Sequence, residues 1–161
     1  MKIKFYATGG TIDKVYFDAK SEYQVGVPQV EEILKDSNVA FEFEVESILQ
    51  KDSLEMTDED RQNIRQIIEK ETCQKIVITH GTDTMVETAK ALIGIENKTI
   101  VFTGAMEPAR SRYTDATFNV GCAIGAVQTL ESGVFIAMNG VVYEADKVVK
   151  NYEAKKFEKI N

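Results

Sequence analysis

The stretch KIVITHGTDTMVETAKALIG, residues 75–94, contains both kinds of element from which this chain is built. Residues 75–79 are apolar and partly β-branched, which is typical of a short buried strand. Residues 84–94 have the period of a helix, and the polar segment HGTDT joins the two. The same order of strand and helix recurs on both sides of this stretch.

Four further runs have the composition of strands: IKFYA at 3–7, FEFEVESI at 41–48, TIVFT at 99–103 and VFIAM at 134–138. Segments of helical period lie between them, at about 28–36, 57–71 and 115–130. This alternation predicts an α/β fold, with a mostly parallel, doubly wound sheet covered by helices on both faces. Asn139 and Gly140 stand between two β-rich runs and predict a hairpin that closes the sheet near the C-terminus.

The composition limits the class of protein. With 161 residues we expect a single domain over residues 1–161. The 26 acidic residues outnumber the 19 basic ones, for a net charge of -7, so a nucleic-acid partner is not expected. The longest apolar stretches have the length of a strand, so we expect no membrane segment and a cytoplasmic location.

No cofactor is expected from the motifs present. His80 is the only histidine in the chain and is predicted to form a local hydrogen bond rather than bind a metal. Cys73 and Cys122 are isolated in the sequence and are predicted to be reduced thiols. The segment TGGT lacks the lysine of a phosphate-binding loop, and no G-x-G-x-x-G follows a strand.

The connection between Ala7 and Pro28 is unusually long. It has about twenty residues and no steady period, whereas such connections usually have two to six. Loops of this kind often close over a site, so this segment is expected to be a lid. Gly9 and Gly10 are expected to form its hinge, because glycine turns through positive φ at little steric cost.

Reactive side chains follow the strands. In a parallel sheet the carboxyl ends of the strands share one edge, where ligands bind. Thr11 and Thr82 follow two of these strands, and either hydroxyl is a candidate nucleophile for an amide or ester carbonyl. Lys150 is the candidate base, since burial disfavours the charged form of lysine. Asp83 is expected to stay ionised beside an ammonium group and to select an α-amino acid.

The segments ATGGTI at 7–12 and ITHGTDTMVETA at 78–89 resemble the two signature motifs of bacterial-type L-asparaginases, in the same order. Four further segments fit the resemblance: SEYQVG, DSLEM, GAMEP and MNGVVYEADKVVK. It implies that Thr11 is the primary nucleophile and that Tyr23, on the lid, closes over it. Thr82, Asp83 and Lys150 would form a second catalytic cluster.

The resemblance also implies how substrate is bound. Asp83 would hold the α-amino group, Asp52 and Ser53 the α-carboxylate, and the carbonyl of Ala105 the side-chain amide. The substrate would be L-asparagine or a close amide such as glutamine. Many relatives have glycine in place of Asp52, so a negative charge is expected near the carboxylate site.

Family members usually have a second, C-terminal domain that helps to grip the substrate, and we expect this chain to lack it. A site without that cover is expected to borrow cover from a second copy, in a homodimer or larger homo-oligomer. A non-catalytic amino-acid-binding protein remains the alternative. Arg110, Arg112 and Glu87 are interpreted as solvated surface residues.

Overall fold

The structure, a computed structural model, describes residues 1–161. Its strands are β1 (Lys2–Gly9), β2 (Lys14–Phe17), β3 (Glu22–Val25), β4 (Glu42–Lys51), β5 (Lys75–Thr79), β6 (Thr99–Thr103), β7 (Gly133–Met138), β8 (Val141–Glu144), β9 (Val148–Asn151) and β10 (Lys156–Lys159). Its helices are α1 (Val30–Asp36), α2 (Asp58–Lys70), α3 (Met85–Ala91) and α4 (Ala116–Thr129). No helix has the length and apolar character needed to cross a membrane.

The central sheet has six strands in the order β4-β1-β5-β6-β7-β8. The first five are parallel, and β8 pairs antiparallel with β7. Asn139 and Gly140 join these last two strands with φ of 55° and 78°. The mostly parallel α/β fold and the closing hairpin are therefore confirmed. Of the parallel strands, β4 follows β1 and lies on one side of it, whereas β6 follows β5 and lies on the other side of the sheet. The connections after β1 and β5 therefore run in opposite directions, and parallel sheets bind ligands at such a point.

Helices cover both faces of this sheet. One apolar core includes Ile64 of α2 and Met85 of α3, and the other includes Leu34 of α1 and Val120 of α4. The central strands are buried on both faces, which is why their sequences are almost continuously apolar. The doubly wound arrangement is confirmed.

Helix α2 begins with a capping box formed by Thr57 and Asp60. The Asp60 N–H donates to Thr57 Oγ1 at 3.1 Å, and the Thr57 N–H donates to Asp60 Oδ2 at 2.9 Å. Such a cap stabilises a helix by about 1 kcal/mol. Lys51, at the end of β4, donates to the same Asp60 oxygen at 2.9 Å. The start of α2 thereby holds the carboxyl end of β4 in place.

The long connection after β1 is more ordered than its sequence indicates. It contains a turn at Thr11–Asp13 and the antiparallel hairpin β2–β3, in which Lys14 pairs with Val25. These strands have four residues each and are largely exposed, so they lack the periodic apolar pattern by which strands are recognised. A second small hairpin, β9–β10, follows the main sheet and was not predicted either.

Candidate functional site

Three loops meet at the carboxyl ends of β1, β4 and β5. Gly9 and Gly10 have φ of 101° and 84°, and the Gly10 N–H donates to the Lys51 carbonyl at 2.9 Å. A Cβ at Gly9 would lie 2.5 Å from that carbonyl oxygen, and a Cβ at Gly10 would collide with the backbone of Gly81. The glycine pair is therefore required for both the turn and the close approach of the loops.

The third loop completes this contact. A Cβ at Gly81 would lie 2.7 Å from Oγ of Ser53, which is buried. Ser53 Oγ accepts from the Thr84 N–H at 3.3 Å, and Thr84 Oγ1 donates to the Ser53 carbonyl at 2.7 Å. Thr11 follows Gly10 and Thr82 follows Gly81, so the two threonines flank one point of contact.

Lys150 joins this site from β9. Its Nζ donates to Thr82 Oγ1 at 2.8 Å and to Asp83 Oδ1 at 2.6 Å. The Lys150 side chain is only 11% exposed. Tyr152 covers it, with the ring centroid 4.8 Å from Nζ, and donates its hydroxyl hydrogen bond to the Asp83 carbonyl at 2.9 Å. The structure thus brings together Thr82, Asp83 and Lys150, and it adds Tyr152, which sequence reasoning missed.

Tyr23, on the segment predicted to be a lid, lies on β3 and is 59% exposed. Its ring packs edge-on against Tyr16, with centroids 5.5 Å apart, and its hydroxyl makes no hydrogen bond to Thr11. Thr11 begins the turn after Gly10 and is half-buried. The structure therefore shows no hydrogen bond between Tyr23 and Thr11, the pair that the resemblance predicts to act together.

Ala105 lies in the loop after β6 and is buried. Asp115 holds this loop by accepting hydrogen bonds from the backbone N–H groups of Met106 and Glu107 at 3.0 and 3.1 Å. Asn119 Nδ2 donates to the Gly104 carbonyl at 2.9 Å. Both supporting side chains are on or next to α4. No local pattern distinguishes them from ordinary helix residues, so sequence reasoning did not single them out.

His80 lies in a buried chain of hydrogen bonds behind the site. Burial lowers its pKa to about 4, so the ring is neutral near pH 7. Nδ1 donates to the Gly81 carbonyl at 2.7 Å, and Nε2 accepts from Thr88 Oγ1 at 2.8 Å. Arg61 Nε donates to the same Thr88 hydroxyl at 3.1 Å. The local hydrogen bond predicted for His80 is confirmed, and it fixes the peptide that precedes Thr82.

Asp52 is paired with a cation. Its Oδ2 accepts from Lys14 Nζ and its Oδ1 from the Leu54 N–H, both at 3.1 Å. Burial opposes ionisation of this carboxyl, but the two donors outweigh burial and lower its pKa. The negative charge expected beside a carboxylate site is therefore compensated by Lys14. Sequence reasoning missed Lys14 because it lies 38 positions from Asp52.

The surface assignments fit the contacts observed. Arg110 donates to Gln29 at 2.9 Å, and Arg112 stacks on Tyr113 with its guanidinium carbon 5.3 Å from the ring centroid. No group of three or more metal-ligating side chains is present. The two largest cavities, 540 and 460 Å³, lie around Leu130 and Phe135 near the amino end of β7. Neither cavity is lined by Thr82, Asp83 or Lys150. The candidate site is therefore assigned to the opposite end of the sheet, where these three side chains meet.

Comparison with known proteins gives a consistent result. The family model for the N-terminal part of asparaginase matches residues 2–161. L-asparaginase 2 of Escherichia coli is 36% identical over 164 residues, covering 92% of this chain and 46% of that protein. A glutaminase-asparaginase of Acinetobacter glutaminasificans is 31% identical over 162 residues, covering 89% of this chain and 48% of that protein. The thermostable L-asparaginase from Thermococcus kodakarensis superposes with a TM-score of 0.86 at 26% identity, over 100% of this chain and 52% of that one. The chain thus spans about half the length of the curated relatives it matches.

Proposed function

The chain belongs to the asparaginase family, and we propose that it hydrolyses the side-chain amide of L-asparagine, or of a close relative such as glutamine, to a carboxylate and ammonia. The observation that carries this proposal is the contact of Lys150 Nζ with Thr82 Oγ1 at 2.8 Å and with Asp83 Oδ1 at 2.6 Å. An amine held between a hydroxyl and a carboxylate is an arrangement suited to proton transfer to and from the alcohol.

In the first half of the reaction, the Thr11 hydroxyl attacks the amide carbonyl carbon. The C–O bond forms as the hydroxyl proton passes to the Lys150 cluster, or to Tyr23 once its hairpin has closed over Thr11. The acceptor then gives a proton to the amide nitrogen, and the C–N bond breaks to release ammonia. Backbone N–H groups in the turn opened by Gly10 stabilise the oxyanion, each donor contributing roughly 3 kcal/mol. The Gly10 N–H already donates to the Lys51 carbonyl, so the N–H groups that bind the oxyanion belong to later residues of this turn.

In the second half, water cleaves the ester on Thr11. Lys150 donates to Thr82 Oγ1, so the hydroxyl proton of Thr82 is directed away from Lys150, and without substrate it faces Met106 Sδ at 3.8 Å. In the reaction Thr82 Oγ1 takes a proton from the attacking water while the Thr82 hydroxyl passes its own proton to Lys150 Nζ in its amine form, along the same 2.8 Å contact. The proton returns to Thr11 Oγ1 as the ester C–O bond breaks, which frees the carboxylate product and restores the threonine.

Unused hydrogen-bonding capacity supports the assignment of the binding residues. Asp83 uses only Oδ1 for Lys150, which leaves Oδ2 to accept the substrate α-ammonium group. The Ser53 hydroxyl accepts one hydrogen bond and has its proton free for the α-carboxylate. The Ala105 carbonyl accepts no hydrogen bond within the chain and is available to the amide N–H.

The test is ammonia release from L-asparagine and L-glutamine by the purified protein. We expect Thr11→Ala, Thr82→Ala and Lys150→Ala each to reduce the rate by about two to four orders of magnitude. Thr117→Ala, at an exposed threonine of α4, is the matched control and should leave it unchanged. Full turnover in Thr11→Ala would refute its assignment as the nucleophile. Asparagine binding by the wild type without ammonia release would instead favour the amino-acid-binding alternative.

The assembly and location of the protein stay predictions. A homodimer or larger homo-oligomer would cover the exposed lid and the Lys150 side of the site, and sedimentation at micromolar concentration measures it. The cytoplasmic location expected from the sequence is measured by fractionation of the native host.

A further inference from the structure

The ion pair between Lys14 and Asp52 joins two sides of the site. Lys14 is the first residue of β2, in the lid hairpin, and Asp52 comes directly after β4. The Nζ–Oδ2 distance is 3.1 Å, and the two side chains are 27% and 34% exposed. The pair is therefore partly shielded from water, yet both side chains keep some surface that a small polar molecule can contact.

Both residues are next to the proposed reacting groups. Lys14 follows the short turn that begins with Thr11. Asp52 precedes Ser53, whose side chain contacts Gly81 beside Thr82. The loop that carries Asp52 also accepts the Gly10 N–H through the Lys51 carbonyl. The ion pair thus lies at the mouth of the site.

The charges of the pair decide which of its members contacts substrate. A carboxylate beside Ser53 repels an incoming α-carboxylate unless a cation is present. Both oxygens of Asp52 are already engaged, one by Lys14 and one by the Leu54 N–H. Lys14 uses one of the three donors of its ammonium group on Asp52. The two remaining N–H donors of the Lys14 ammonium group are therefore available to a substrate carboxylate, whereas Asp52 has no free oxygen to offer.

We propose that Lys14 is a specificity-determining residue that binds the α-carboxylate of the substrate, and that Asp52 is the positioning residue that holds the Lys14 ammonium group. This inference rests on the proposed function. The α-carboxylate then lies between Ser53 and Lys14, and the α-ammonium group lies at Asp83. Amides that carry an α-carboxylate therefore bind more tightly than amides that lack one.

The test compares L-asparagine with 3-aminopropanamide, which is the same molecule without its α-carboxylate. We expect Lys14→Met to raise KM for asparagine about 10- to 100-fold with a smaller change in kcat, because it removes one charge-assisted contact. The same variant should leave kcat/KM for 3-aminopropanamide within about twofold. Lys14→Arg should recover most of the loss. Asp52→Asn should raise KM for asparagine by less than Lys14→Met, because it loosens the ammonium group without removing it.

Lys20→Met, at an exposed lysine of the same lid, is the matched control and should change neither amide. An equal loss for both amides in Lys14→Met would overturn the proposal, since a residue that only held the lid closed would affect them alike. An unchanged KM for asparagine would overturn it as well.

If the wild type releases no ammonia from any amide, the proposed function fails, and binding decides the inference by itself. Calorimetry then compares L-aspartate with β-alanine, which lacks the α-carboxylate. A wild type that prefers L-aspartate, and loses this preference in Lys14→Met, supports the role of Lys14. A wild type that binds both equally or neither, or a variant that keeps the preference, refutes it.

Discussion

Asp13 connects the two ends of the long segment between β1 and α1, which the sequence predicts to be a lid. Its carboxyl Oδ1 accepts the Gln29 N–H, and its carbonyl accepts the Gly26 N–H, each at 2.8 Å. Asp13 is only 1% exposed. Burial raises the pKa of its carboxyl from 3.8 to about 7, against the opposing effect of the Gln29 N–H. The folded protein therefore holds a proton at Asp13 that the unfolded chain releases.

The size of the effect follows from this pKa. Below pH 3.8 the carboxyl is protonated in both states and its burial is not penalised. As pH rises toward 7, the unfolded chain has lost the proton and the folded chain keeps it, so stability falls by about 1.4 kcal/mol per pH unit. Over the full shift of about three units, this amounts to about 4 kcal/mol.

Asp13→Asn keeps the acceptor for Gln29 and removes the charge. We expect the variant to gain about 2–3 kcal/mol of unfolding free energy relative to wild type between pH 5 and pH 8. Urea unfolding followed by circular dichroism at both pH values measures this difference. Asp18→Asn, at an exposed acid of the lid, is the control and should track wild type. Parallel pH dependence of Asp13→Asn and wild type would refute the reasoning.

Two further substitutions test the packing behind the site. Gly10→Ala should destabilise the protein by about 2–4 kcal/mol and slow ammonia release at least about tenfold, because it adds backbone strain and a collision with Gly81. Gly94→Ala is the control, because Gly94 also has a positive φ, of 92°, but no atom lies within 4 Å of the added Cβ. It should cost only about 1–2 kcal/mol of unfolding free energy and leave the rate unchanged. Equal losses of stability at both glycines in urea unfolding would count against the collision with Gly81. Thr88→Val should cost about 1–3 kcal/mol in the same assay by leaving His80 without its buried partner. Thr88→Ser keeps the hydroxyl and should restore most of this stability, and a Thr88→Val protein as stable as wild type would contradict the role of this hydrogen bond.

The order of strands and helices could be predicted from the sequence because each element depends on a pattern of neighbouring residues. Residues 76–78 are apolar without interruption, and residues 76–79 of this strand are buried in the structure. The capping residues of α2 are three positions apart, so one turn of helix brings them together. Asn139 and Gly140 accept positive φ, which the hairpin between β7 and β8 requires.

The positions of Thr11, Thr82, Asp83 and Lys150 after strands indicated that they would share one edge of the sheet. For Thr11, Thr82 and Asp83 this expectation needs only the direction of the strands, because parallel strands end on the same side. Lys150 lies on β9, outside the main sheet, so its arrival at this edge depends on the tertiary structure. For Thr82, Asp83 and Lys150 the side chains meet within hydrogen-bond distance. Their roles, and that of Thr11, stay predictions until turnover is measured.

The amino-acid sequence by itself determined the layered α/β fold and the edge of the sheet at which polar residues gather, since periodicity and strand direction are properties of neighbouring residues. Only the tertiary structure decided which polar groups meet: Lys14 with the Asp52 carboxylate across 38 positions, and the Tyr152 hydroxyl with the Asp83 carbonyl across 69. It also decided that Asp13 is buried while the nearby Asp18 is exposed. The physical reason is that ion pairing and desolvation depend on distances between remote segments, which packing of the whole chain sets and no local pattern encodes.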